Sequence, residues 1–240
     1  MRAILFDKDG TLLNFEATWS PLVKKLALDA AKGNLDKAAE LLDAGGYDAA
    51  TGRFRSGSVI GAGTTDLIVG LWYPKLKGAA FQAKVEGLDR RFAAHGRTHS
   101  VVIDGAAVAL DLLAARRFVM GVATNDATEA ARGALEGTGL ARNIPYVFGY
   151  DSVASPKPAA DMVLAFCAAA NLSPSEVAVV GDNAHDLAMA RSAGAALAIG
   201  VTSGNSAAAD LAPLADIVLG SIRDVPRYLQ ELTETRQYAR

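Results

Sequence analysis

Asp7 and Asp9 stand two residues apart near the start of the chain, in Ile4-Leu5-Phe6-Asp7-Lys8-Asp9-Gly10-Thr11. Carboxylates this close repel each other unless a cation joins them. A carboxylate is also a nucleophile toward phosphorus, splitting hydrolysis into formation and breakdown of an acyl phosphate. Gly10 lets the backbone turn and approach a bound group, and Thr11 offers a hydroxyl and an amide. Taken alone, the same residues also read as a strand followed by an Asp-Gly turn. Three further clusters give them company. Thr124-Asn125-Asp126 presents a hydroxyl and successive amides, which suit an anion and equally suit the cap of a helix. Lys157 lies between Pro156 and Pro158, either a cation on a stiffened loop or a solvated surface lysine. In Gly181-Asp182-Asn183-Ala184-His185-Asp186 two carboxylates lie four residues apart. Either would be an ordinary cap alone; with Asp7 they supply hard oxygen ligands suited to Mg²⁺.

The elements that must position these clusters follow from hydrophobic periodicity. Short apolar runs at Ile4–Phe6, Phe118–Ala123, Tyr146–Phe148, Val177–Val180, Ala195–Val201 and Ile217–Leu219 read as buried strands. Helical periods at Ala106–Ala115, Ala127–Glu136, Ala160–Ala170 and Leu187–Ala193 alternate with them. Such alternation predicts right-handed crossovers and a parallel sheet covered on both faces. All strand carboxyl ends then lie on one edge, where residues distant in sequence can share a site. Between Trp19 and Gly96 the pattern is helical instead. Ser20 and Pro21 suggest a helix start before Leu22–Ala31, and Asn34 a cap for Leu35–Ala44, closed by Gly45-Gly46. Asp66–Trp72 and Gly78–Ala94 continue the series, and the polar tail beyond Leu229 is expected to fray.

Composition narrows the class. A hydrophobic fraction of 51% supports a substantial core. With 24 basic against 26 acidic side chains there is no broad cationic face for nucleic acid. Gly, Asp or Arg interrupts every apolar stretch before it reaches the length of a membrane span, and the acidic residue at position 7 comes too early for a signal peptide. The single cysteine, Cys167, excludes an internal disulfide and suits the reducing cytoplasm; it reads as a small buried hydrophobe. Three histidines, His95, His99 and His185, with one distant cysteine, make no zinc set. His185 reads as an exposed or supporting neighbour of the site, and the other two as surface residues. The glycines from Gly52 to Gly63 follow no buried strand and do not form a dinucleotide fingerprint. Arg53 and Arg55 in that stretch are candidates to reach an anionic substrate, or else solvated loop residues. Strand alternation turns Lys8 away from both carboxylates and gives it no catalytic role.

Together the four clusters resemble the motifs of the haloacid dehalogenase superfamily, in its phosphoglycolate-phosphatase-like branch. The likeness covers residues 1–13 and roughly 100–220 well and is looser between them. It implies an α/β fold, a Rossmann-like parallel sheet core (residues 1–13 and 100–240) with an inserted α-helical cap (residues 14–99) and hinges at 14–16 and 96–100. It implies Mg²⁺-dependent hydrolysis of a small phosphomonoester, phosphoglycolate-like or a sugar phosphate. By resemblance Asp7 is the nucleophile and Asp9 the general acid and base; the superfamily's dehalogenases lack an acid at the latter position. Thr124, with Asn125 and Gly10, would hold the phosphoryl group, and Lys157 would neutralise charge. Asp7, the backbone carbonyl of Asp9 and Asp182 would bind the metal, with Asp186 orienting waters or Lys157. Motif two departs from relatives that carry a basic residue after the asparagine, since Asp126 follows here. A phosphomutase, a phosphonate hydrolase using Lys24 or Lys25, and a non-catalytic relative binding phospho-ligands or protein are the alternatives. The expected partner is a small phosphorylated metabolite, with neither nucleic acid nor membrane, and the expected assembly a monomer or homodimer in the cytoplasm.

Overall fold

Alternate residues of β1 (Ala3–Phe6) enter two different cores. Ile4 and Phe6 face one hydrophobic cluster, and Ala3 and Leu5 face the other. That two-sided burial is what a continuous apolar run predicts for a central parallel strand. In the computed structural model, which describes residues 1–238, the chain then forms α1 (Phe15–Ala30), α2 (Leu35–Ala44) and a short hairpin of β2 (Tyr47–Asp48) and β3 (Arg53–Phe54). Three more helices follow: α3 (Val59–Ala62), α4 (Thr65–Trp72) and α5 (Gly78–His99). The α/β part resumes with α6 (Ala106–Ala115), β4 (Val119–Ala123), α7 (Thr128–Gly137), β5 (Tyr146–Phe148), α8 (Asp161–Ala170) and β6 (Val177–Gly181). It closes with α9 (Ala184–Ala193), β7 (Leu197–Val201), α10 (Ala208–Leu211), β8 (Ile217–Leu219) and α11 (Val225–Tyr238).

The main sheet has six strands in the order β5-β4-β1-β6-β7-β8, and every pair in it is parallel. The chain therefore moves outward from β1 first to one side, through β4, and later to the other, through β6. The crevice at such a reversal, beyond the strand carboxyl ends, is where open α/β sheets bind ligands. Residues of α6, α7 and α11 cover one face; α8, α9 and α10 cover the other. A third cluster, built from Phe15, Trp19, Val23, Leu26, Ile68, Val69, Trp72 and Leu88 among others, is internal to α1–α5. The residues leading into and out of α1–α5 pair with each other. The Asn14 N–H donates to the Val101 carbonyl at 2.7 Å, and Ile103 N–H to the Leu12 carbonyl at 2.9 Å.

Four sequence expectations need correction. Helix α1 begins at Phe15, with the Asn14 side chain accepting from Ala17 N–H, so Pro21 lies inside it rather than at its start. Phe15, Trp19, Leu22, Val23, Leu26 and Ala27 form one buried stripe running straight through the proline, and that burial outweighs the one backbone bond it removes. Helix α5 continues past Ala94 to His99, where it packs closely on α7: a Cβ on Gly137 would lie 2.0 Å from the Arg97 carbonyl oxygen. The β2–β3 hairpin is too short to register as a period. Finally, the polar segment beyond Leu229 is helical through Tyr238 rather than frayed.

Candidate active site

Asp7 follows β1, Thr124 follows β4 and Asp182 follows β6, so three adjacent strands deliver them to one edge. Lys157 arrives from the loop before α8 and Asp186 from the first turn of α9. The Lys157 ammonium donates to Asp7 Oδ1 at 2.5 Å and to Asp186 Oδ1 at 2.6 Å, and all three side chains are buried. Asp186 is fixed further by the Asn183 N–H on its other oxygen at 3.0 Å. Asp182 accepts from Asn205 N–H at 3.0 Å and sits in a cradle of two glycines. A Cβ on Gly10 would fall 2.4 Å from its Oδ2, and one on Gly204 only 1.8 Å away. Gly10 also has φ +86°, so its lack of a side chain serves both the turn and the close approach.

Oxygens of Asp7, Asp182 and Asp186 lie within 4.8 Å of one another. Three buried carboxylates face a single ammonium, leaving a deficit of positive charge in an oxygen-only donor set. Such a set fits a hard divalent cation and excludes a soft one. The electrostatics agree. Burial raises the Asp7 carboxyl to about 6, with Lys157 opposing and Asp186 adding to the shift. Burial, then Asp7 and Asp186, push Asp182 well above the usual carboxylate range. Lys157 would be lowered by burial, but Asp186 and Asp7 outweigh this and hold it protonated.

Asp9 belongs to an adjoining network. Its Oδ1 accepts the Trp19 indole N–H at 2.7 Å, and its Oδ2 meets the Lys8 ammonium. Lys8 is fully buried, pairs also with Asp126 at 2.9 Å and lies 5.0 Å from the centre of the Trp19 ring. The expectation that Lys8 turns away is therefore wrong. The pleat ends at Phe6; beyond it the backbone folds back, with Leu12 and Leu13 N–H both donating to the Lys8 carbonyl, and strand alternation no longer applies. Burial raises Asp9 to about 6, against Lys8, with Asp126 contributing to the rise.

Thr124 is buried, and its hydroxyl accepts from Asp126 N–H at 3.2 Å, so it does cap the turn while also lining the cleft. Asn125 ties three segments together. Its Nδ2 donates to the Ala62 carbonyl at 2.9 Å and the Lys157 carbonyl at 3.3 Å, and its Oδ1 accepts from Lys157 N–H at 3.1 Å. The cleft is lined by these carboxylates together with Phe15 and the stretch Ile60–Gly63. His185 lines it half-buried; burial and then Lys157 lower its pKa, favouring a neutral imidazole.

Arg53 and Arg55 do not reach this cleft. Arg55 is exposed and pairs with Asp43 at 3.2 Å, and Arg53 donates to the Gly204 carbonyl at 2.9 Å beside a separate hollow. Lys24 and Lys25 are likewise exposed and line neither the cleft nor its neighbouring cavity. Sequence reading missed Trp19, Asp126 and the loop 203–205. Trp19 carried no signal beyond its helical stripe. Asp126 was visible only as the residue after a motif. Ser203-Gly204-Asn205, a turn at the carboxyl end of a strand, could have been suspected, and Ser203 Oγ donates to the Gly10 carbonyl at 2.7 Å.

A six-stranded parallel sheet with this cluster at its reversal point places an oxygen-rich site where open α/β sheets bind their ligands. The profile of the haloacid dehalogenase-like hydrolases matches residues 1–194, and the chain belongs to that family. It is 34% identical to a phosphoglycolate phosphatase of Chromobacterium violaceum over 136 residues, a match spanning 57% of this chain and 60% of that relative's length. Against a phosphoglycolate phosphatase of Rhodospirillum rubrum the identity is 30% over 193 residues, 80% of this chain and 76% of the relative. The solved structure of a predicted phosphatase from Clostridium acetobutylicum superposes with a TM-score of 0.73 over 96% of this chain and 98% of that one, at 21% identity, a likeness of fold. No helix of the described residues is long and apolar enough to cross a membrane.

Proposed function

We propose that the chain is a Mg²⁺-dependent phosphatase of small phosphomonoesters, working through an aspartyl-phosphate on Asp7. The observation that carries this reading is the Lys157 ammonium bound to both Asp7 and Asp186, with Asp182 within reach of the same point. An anionic nucleophile must approach an anionic ester, and a fixed cation at the nucleophile offsets that repulsion. Asp7, Asp182 and the backbone carbonyl of Asp9 would hold Mg²⁺, with Asp186 acting through Lys157 and through waters. The ion supplies charge neutralisation and orients the phosphoryl group.

In the first step an Asp7 oxygen forms a bond to phosphorus while the ester P–O bond breaks. Asp9, protonated at the outset, gives its proton to the leaving oxygen. In the second step Asp9, now a carboxylate, takes a proton from water as that water attacks the same phosphorus. The bond between phosphorus and Asp7 then breaks and phosphate is released. A carboxyl raised to about 6 exchanges its proton near neutral pH, as both steps require. Thr124, the amides around Asn125 and the turn at Gly10 bind phosphoryl oxygens. Helices α1–α5 serve as a cap that closes over the cleft, with Ile60–Gly63 as the part nearest the reacting centre. The buried, unpaired Cys167 is consistent with work in the reducing cytoplasm.

Phosphate release is to be measured from a panel holding an aryl phosphate, phosphoglycolate and sugar phosphates, with Mg²⁺ and with chelator. Activity should require the metal and fall by about a thousandfold or more in Asp7→Asn, the scale on which nucleophile removal acts. Wild-type turnover in that variant would falsify the nucleophile assignment.

A further inference from the structure

The residues after β7, Ser203-Gly204-Asn205-Ser206, divide their contacts between the sheet edge and the inserted segment. Alternate ones hold the site: Ser203 Oγ donates to the Gly10 carbonyl, and Asn205 N–H donates to Asp182 Oδ2. The other two hold the end of the β2–β3 hairpin. An N–H of the Arg53 guanidinium donates to the Gly204 carbonyl at 2.9 Å, and the hydroxyls of Ser56 and the buried Ser206 meet at 2.7 Å.

The Gly204 carbonyl and the Asn205 N–H belong to one peptide unit. That unit is trans and planar, its two polar groups point in opposite directions, and it is gripped at both ends, by Arg53 and by Asp182. A cation on the carbonyl also polarises the amide and strengthens its donation to the carboxylate. The fit is close: a Cβ on Gly204 would lie 1.8 Å from Asp182 Oδ2, so a tilt of this plane moves the carboxylate with it. The far end of the tie is firm. Phe54, next to Arg53, is buried edge to face against Phe15 with ring centres 5.6 Å apart, and its N–H donates to Glu16 of α1 at 2.7 Å. Arg55 takes no part, since it pairs with Asp43 of α2.

We propose that Arg53 is a positioning residue for the metal site: through the Gly204–Asn205 peptide it holds Asp182 in place, so that docking of the hairpin and binding of a divalent cation reinforce each other. The inference rests on the Mg²⁺ reading above and extends it to a residue outside the cleft. Its sign is opposite to that of simple charge repulsion, because removing a positive charge near a cation site favours the cation.

The test is calorimetric titration of the full chain with Mg²⁺, without substrate, for the wild type, Arg53→Ala and Arg55→Ala. Arg53→Ala should bind Mg²⁺ about fivefold more weakly, less than the roughly tenfold or more lost with a direct partner of a metal ligand, because Asn205 and the Ser56–Ser206 contact remain. Arg55→Ala removes the same charge from the same part of the chain and should bind as tightly as the wild type or slightly more so. Because coupling is reciprocal, Mg²⁺ should slow hydrogen exchange at the Phe54 and Arg55 amides of the wild type, and slow it less in Arg53→Ala. Affinity in Arg53→Ala equal to or above that of the wild type overturns the inference and leaves the metal reading intact. An equal loss in Arg55→Ala, or undiminished protection of those amides in Arg53→Ala, also overturns it. A wild type that binds no Mg²⁺ removes the metal reading, and this inference with it.

Discussion

Magnesium should stabilise the fold in a strongly pH-dependent way, and the site fixes the sign. Without a cation, burial raises Asp7 from 3.8 to about 6, so between those values the folded chain holds a proton that the unfolded chain has released. Stability is then full below the unfolded value and declines as pH rises through about 6. A shift of this size corresponds to about 3 kcal/mol through Asp7 alone, and Asp182, displaced in the same direction, adds to it. A divalent cation favours the ionised carboxylates and removes the penalty. At about pH 5 it must first displace the Asp7 proton; at about pH 7.5 it need not. Between about pH 5 and about pH 7.5 only the part of that shift above pH 5 comes into play, about 1.4 kcal/mol through Asp7, or roughly 3–6 °C of melting temperature for a chain of this size. Thermal unfolding with and without saturating Mg²⁺ should therefore show a gain larger by roughly that amount at the higher pH. Taking the difference at each pH cancels titrations that the metal does not touch. In Asp7→Asn the contrast between the two pH values should shrink. An equal Mg²⁺ gain at both pH values, or one that survives Asp182→Asn undiminished, would refute the placement of the ion among these carboxylates.

The network around Asp9 supports three more expectations. Trp19→Phe keeps an aromatic ring in the wall but deletes the donor to Asp9 Oδ1; kcat for an alkyl ester should drop roughly tenfold, from loss of a charge-assisted hydrogen bond, and less for an aryl ester that needs little protonation. Lys8→Met leaves the largely buried Asp9 and the partly exposed Asp126 without their shared cation, and urea unfolding at neutral pH should show a loss of about 3 kcal/mol, the low end of the range for a broken buried pair. Gly204→Ala puts a methyl into the Asp182 carboxylate, so calorimetric titration should record Mg²⁺ affinity weakened by about tenfold or more, the scale of a displaced metal ligand or its support.

Much of this architecture is readable from residue patterns, for identifiable reasons. The inner strands β4, β1, β6 and β7 are buried on both faces, so each appears as an apolar run, and the polar clusters at the ends of β1, β4 and β6 mark the edge where ligands gather. The encounter of Asp7, Lys157, Asp182 and Asp186 follows from that topology. The Lys8 side chain was misplaced because a rule of strand geometry was carried past Phe6, where the strand stops. Arg53 and Arg55 stand on a hairpin too short to leave a pattern, so no period in the sequence places them relative to the cleft. Pro21 misled as a helix start because local proline preference competes with a longer apolar stripe, and the stripe prevails. The contribution of Trp19 depends on α1 crossing above the Asp9 turn, a tertiary fact that no window of sequence contains.

The paired strands of backbone at Asn14–Val101 and Leu12–Ile103 have an evolutionary meaning. Because the excursion of α1–α5 leaves and rejoins the sheet at neighbouring points, its whole length behaves as a cassette clipped onto an otherwise continuous crossover. A change in its length would be taken up among these helices and at the close contact of α5 with α7, while the hydrogen bonds at its two ends hold the start and finish of the excursion beside the sheet edge.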